Sequence, residues 1–133
     1  MSFDFTVSDV IPASAQDIYD AWLDSTGHSE MTGGEAHTSA SVGDPFDAWG
    51  GYISGNNLEL EPGRRILQSW RTTRFTDNDE DSRIEVVFEP VDGGTLVTIH
   101  HTNVPDGHTG YQNGGWENNY FVPMKRHFGG TRQ

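Results

Sequence analysis

The chain of 133 residues contains no cysteine. Disulfides, thiolate nucleophiles and thiolate metal sites are therefore excluded. Lysine is nearly absent, Lys125 being the only one. Eight Lys and Arg face twenty Asp and Glu, which leaves a net charge of −12. Such a surface repels phosphate backbones, so nucleic acid is not an expected partner. It also disfavours anionic membrane surfaces. The acidity serves solubility, and with so little lysine it also fits a high-salt habitat. Long apolar runs are missing as well: none approaches the roughly 18 residues that span a bilayer. No basic segment followed by an apolar run marks a secretory leader. The expectations are no membrane insertion and a cytoplasmic location.

What is present is a succession of short alternating segments between turn signals. Phe3, Phe5 and Val7 alternate with polar residues, the period-two pattern of a half-buried strand that Pro12 ends. Ser14 is placed to cap a helix carrying Ala15, Ile18, Tyr19 and Trp22, with Gly27 as its expected stop. One more helical turn is expected over His28–Met31, closed by Gly33-Gly34. His37–Val42 is a weak strand candidate. Strands follow at Phe46–Trp49, at Tyr52–Leu60 with a bulge or kink at Ser54–Asn57, and at Arg64–Phe75. Ile84, Val86 and Phe88 form the clearest alternation, and Thr95–Thr102 is the last strand. Short strands joined by tight turns predict an antiparallel meander.

After Pro105 the period changes. Trp116, Tyr120 and Met124 fall four apart, which predicts a helix of about four turns. Pro123 lacks an N–H and is expected to kink it near Asn119–Pro123. The whole predicts one α+β domain over residues 1–133, a curved antiparallel sheet wrapped around a long C-terminal helix. The gap between them is where a ligand would sit.

Several stretches carry a resemblance. Phe46-Asp47-Ala48-Trp49-Gly50-Gly51-Tyr52-Ile53-Ser54-Gly55 is followed by Leu58-Glu59-Leu60-Glu61-Pro62 and by Ile66-Leu67-Gln68-Ser69-Trp70-Arg71. His101-Thr102-Asn103-Val104-Pro105 and Gly115-Trp116 come later. This ordered set resembles the Hsp90 ATPase activator homologue family of the START-like superfamily, along nearly the whole chain. The resemblance implies the helix-grip fold and a deep cavity, often for an apolar small molecule. It also implies a possible chaperone partner. It carries over no catalytic motif, since the family has no single one.

The candidate ligand-binding residues are Trp49, Tyr52, Trp70, His101, Trp116, Tyr120 and Met124. Aromatic walls with a polar handle suit an apolar or amphipathic ligand, lipid-like or polycyclic; plain core packing is the alternative for each. His101 shares a strand face with Val97 and Ile99 and is expected to point inward, as a polar contact or a general base. A structural, hydrogen-bonded histidine is the alternative. No His-x3-His or other ligand spacing occurs, so neither metal nor cofactor is expected. Asp77–Asp81 imitates the start of a calcium loop but has Ser82 and Phe88 where Gly and Glu are needed. Asp47, Glu59 and Glu61 could form a paired-carboxylate site, but alternation places Asp47 opposite Phe46 and turns Glu59 to solvent between Leu58 and Leu60, which argues against convergence in one pocket. Three functions remain open: a small-molecule binder, an activator of an Hsp90-type ATPase, and an enzyme acting on an aromatic substrate.

Overall fold

Phe5 and Ile11 face inward from the first strand, β1 (Ser2–Ile11), while Ser2, Asp4, Thr6 and Ser8 face out. The computed structural model to which β1 belongs describes residues 2–129; the other positions of the expected 1–133 domain lie outside the described residues. After Pro12, Ser14 caps α1 (Ala15–Trp22) by accepting a hydrogen bond from Asp17 N. Gly27 does not end this helix. Asp24 accepts from Gly27 N at 2.8 Å and starts a second helix, α2 (Ser25–Thr32), so Gly27 lies in its first turn. A carboxylate that captures a free amide outweighs a glycine's tendency to terminate. Gly33, at φ +87°, closes α2.

Five strands follow: β2 (Pro45–Ala48), β3 (Ile53–Glu61), β4 (Arg65–Thr72), β5 (Ser82–Val91) and β6 (Gly94–Pro105). They form one antiparallel sheet in the order β1-β6-β5-β4-β3-β2. The register slips between Phe3 and Phe5 and between Asn57 and Glu59, and such bulges bend a sheet. β3 runs unbroken through Ser54–Asn57, and its bulge falls at Leu58 instead. Asn57 is buried: its carbonyl oxygen accepts from Gln68 Nε2, and its amide donates to Ser39 O and Ser41 O. These bonds hold the segment before β2 as a loop. The expected strand at His37–Val42 is reduced to one bridge, His37 with Asp47. β4 stops at Thr72 rather than Phe75, because Arg74 N donates to Thr72 Oγ1 and Phe75 N to Thr72 O.

The C-terminal segment covers the sheet in three pieces. Tyr111–Gly115 forms a wide turn broken by non-helical angles at Asn113 and Gly114. Glu117–Phe121 is wound with i→i+5 bonds, and α3 (Val122–Gly129) follows. Pro123 therefore causes a widening rather than a sharp kink: the turn before it opens, and Val122 N bonds Glu117 O. α3 packs on α2 and β1, and Lys125 Nζ donates to Asp9 Oδ2 at 2.8 Å. The buried side chains between sheet and helices, Ile18, Trp22, Ile66, Ile84, Val86, Ile99 and Phe121 among them, form one continuous cluster. Burying each contributes about 1.5–3 kcal/mol. The fold is thus the curved antiparallel sheet and C-terminal helix that the sequence predicts.

Candidate functional site

Two parts of the chain meet beside the edge strands. The first is the β2–β3 turn. Trp49 and Gly50 take φ of +54° and +68°, and Gly51 takes +94°. Positive φ at successive positions matches the right-handed strand twist of a tight hairpin. Gly50 N donates to Glu35 O at 2.9 Å, pinning the turn to the residues after α2. Gly34 lies under the Trp49 indole so closely that a Cβ there would overlap the ring. The second part is the run from Gly110 to Tyr120. It packs Tyr111 and Trp116 against Trp70 of β4, with ring centroids 5.0 and 5.5 Å apart, and Tyr120 against Trp116 at 5.0 Å.

Between them opens a cavity of about 460 Å³. Trp49, Tyr52, Trp70, Trp116 and Tyr120 line it, so the structure gathers these five sequence candidates around one space. Its volume falls in the range of small-molecule sites, about 300–1,000 Å³.

Two candidates lie elsewhere. Met124 is fully buried, and the cavity walls do not include it. It follows Tyr120 at helical spacing, but the i→i+5 turns ahead of it change the phase between the two residues. His101 points inward as alternation predicts and is also fully buried, yet it sits behind the wall, its ring 4.6 Å from Trp70 and 5.7 Å from Trp116. Ser82 Oγ donates to Trp70 O at 2.6 Å, so its oxygen accepts from His101 Nε2–H at 2.9 Å. His101 Nδ1 then accepts from Trp116 Nε1–H at 3.1 Å. Both ring nitrogens are committed in one neutral tautomer. Burial pushes its pKa down to about 3. As the imidazole is placed, neither nitrogen is free to act as a general base or to touch a ligand.

Tyr120 is tied in the same way. His28 Nδ1 lies 2.8 Å from Trp22 O and therefore carries the proton, which leaves Nε2 to accept from the Tyr120 hydroxyl at 2.9 Å. Burial raises the Tyr120 phenol and lowers His28, so both stay neutral. The ring of Tyr120 faces the cavity while its hydroxyl anchors the helix to α2.

Sequence reasoning missed Tyr111, Arg74 and Asn119, which also line the cavity. Tyr111 lies in a glycine-rich stretch without periodicity, and Arg74 in the turn after β4. The only available signal was an aromatic and a cation next to the sequence candidates. Tyr111 Oη and Thr72 Oγ1 are 2.7 Å apart. Burial pushes the Tyr111 phenol up to about 12, the Tyr52 hydroxyl adding to the rise while Thr72 and Arg74 oppose it.

The other constellations do not converge on the cavity. Glu59 and Glu61 both pair with Arg65, which Glu85 also holds, and Asp47 pairs with His37. Asp79 Oδ2 accepts from Thr76 N, making Asp77–Asp81 a hairpin tip. Among the described residues no three His, Asp or Glu side chains are grouped to hold a metal ion, and no helix is long and apolar enough to cross a membrane.

Comparison with known proteins follows this geometry. The family model described as "Activator of Hsp90 ATPase homolog 1-like protein" matches residues 12–129. A Dictyostelium discoideum protein named "Activator of 90 kDa heat shock protein ATPase homolog" is 30% identical over 117 residues. That match covers 86% of this chain but only 30% of the relative, so the chain spans less than a third of its length. The crystal structure of an HSP90 activator from Plasmodium falciparum superposes with a TM-score of 0.83 at 20% identity, covering 92% of this chain and 94% of that one. The solution structure of the Aha1 dimer from Colwellia psychrerythraea gives 0.80 at 16% identity and covers 98% of each chain. At these identities the two structures establish a shared fold.

Proposed function

This chain belongs to the family of Activator of Hsp90 ATPase homolog 1-like proteins, and on that premise we propose that it binds an apolar or amphipathic small molecule, lipid-like or polycyclic, in the cavity between sheet and C-terminal helix. The observation that carries the reading is the aromatic enclosure: six Trp and Tyr side chains from the hairpin turn, β4 and the helical run around about 460 Å³. Flat aromatic faces give a ligand large contact at little entropy cost. The reading takes residues 1–133 as a single domain, which the continuous core of the described part supports, and places it in the cytoplasm. It is a binding role without a cofactor. The committed nitrogens of His101 argue against an enzyme that uses this imidazole as its base.

The test is native mass spectrometry of the purified protein followed by a thermal-shift screen. A ligand that binds only the folded state raises the melting temperature by mass action. The reading predicts a co-purifying or screened hydrophobe whose stabilisation is lost in Trp116→Ala. If no hydrophobe stabilises the protein, or the hits stabilise Trp116→Ala equally, the reading fails.

A second reading is favoured by the curated relative's name: the chain contributes to stimulating an Hsp90-type ATPase. Only part of that relative is matched, so the whole activity is not carried over by similarity. Adding the protein to such a chaperone and following ATP hydrolysis tests it, and an unchanged rate at saturating protein would reject it.

A further inference from the structure

Resting on the reading of this cavity as a ligand site, we propose that its ligand is an anion, an amphipathic molecule whose carboxylate pairs with Arg74 while its flat apolar body lies against Trp70, Trp116 and Tyr120. The charge census of the site points there. The chain has twenty acidic residues and eight Lys and Arg, yet among the described residues no Asp or Glu lines the cavity, and Arg74 is the one charged residue that does.

Three cations near the sheet are paired, while Arg64 and Arg83 have no ion pair among the described residues but do not line the cavity. Arg65 is held by Glu59, Glu61 and Glu85, Arg71 by Asp81, and Lys125 by Asp9. Arg74 has no ion pair among the described residues, although the acidic tip Asp77–Asp81 follows within a few residues. Its backbone is fixed by the bond from Arg74 N to Thr72 Oγ1 at 3.2 Å, which sets where the side chain leaves the turn after β4.

Neutral donors share the wall. Asn119 offers an amide and Tyr52 a hydroxyl, while the Tyr111 hydroxyl is engaged with Thr72 Oγ1. The Tyr111 phenol stays protonated at neutral pH. A planar guanidinium matches a carboxylate with two parallel bonds.

The competing chemistry is a cation in an aromatic cage, since Trp and Tyr faces attract ammonium groups. Arg74 at the same wall repels such a cation. The overall charge of −12 opposes an anion at long range. Salt screens that field beyond about 8 Å at physiological ionic strength, while a contact pair survives it. Hydrogen bonds to a charged group strengthen binding on the order of tenfold to a hundredfold.

The experiment compares three probes of one shape by calorimetry: 2-naphthoate, 2-naphthylmethanol and 2-naphthylmethylammonium, against the wild-type protein and Arg74→Gln. Arg74 is exposed, so the variant is expected to keep the wild-type melting temperature. The expected result is naphthoate binding at least about tenfold tighter than the alcohol, with the ammonium weakest. In Arg74→Gln the naphthoate advantage should disappear while the alcohol binds as before. If alcohol and naphthoate bind equally, or the ammonium binds best, the anion is overturned and the cavity reading stands. If none of the three binds, both fall.

Discussion

His101 illustrates how an imidazole is removed from chemistry by its neighbours. Its inward direction follows from alternation with Val97 and Ile99. Its silence depends on Ser82 and Trp116, which reach it from another strand and from the helical run. Burial holds the ring neutral in the folded protein to about pH 3, and protonation would also set an Nδ1–H against the Trp116 N–H. The unfolded chain takes up that proton near pH 6.5. Between these values the unfolded state binds more protons, and stability falls as pH falls. His101 alone should remove about 2 kcal/mol by pH 5, levelling near pH 3. His28, also lowered by burial, acts in the same direction. Urea denaturation at pH 7.5 and 5.0 checks this, and His101→Gln should show a smaller loss between the two pH values than wild type.

The turns and helix ends decide which side chains arrive at the cavity. Trp49 stands there because Gly34 leaves room for its ring and Gly50 ties the turn to Glu35. Gly34→Ala should displace the indole, lowering stability by about 1–3 kcal/mol and shifting the tryptophan emission of the folded state; unchanged emission and melting would refute this account of the wall. At the other end of the loop, α2 depends on the Asp24 carboxylate. Asp24→Ala should cost about 1 kcal/mol in thermal or urea unfolding. The boundary between α1 and α2 was hard to read because a glycine is locally a stop signal, and only the partner of its amide reveals whether the chain is ending or starting a helix. Pro123 was legible as a disturbance, but not in its form. A missing N–H can be met by a kink or by wider turns, and the packing of Tyr120 and Phe121 into the core accompanies the wider turns.

At the scale of the whole molecule, a strongly acidic chain carries a cavity wall with no acid among the described residues. A net charge of −12 repels itself, and salt screens that repulsion. The melting temperature should therefore rise when sodium chloride is increased from about 10 mM to a few hundred millimolar, a range over which the Debye length falls from about 30 Å to below 8 Å. A flat profile in calorimetry would show that ion pairs such as those of Arg65, which salt weakens, offset the relief. The antiparallel meander and the covering C-terminal helix were legible in the residues, because period-two and helical patterns are local and survive without knowledge of partners; the place of β1 beside β6 was not. Charge and the absence of cysteine were legible for the same reason. What only the tertiary structure decided is which side chains share the cavity. Trp49, Tyr52, Trp70, Trp116 and Tyr120 come from distant segments, Arg74 and Tyr111 join them without any sequence pattern, and His101 is turned away by bonds to Ser82 and Trp116. Such convergence depends on register, turn geometry and the winding of one helical segment, and no local period encodes these.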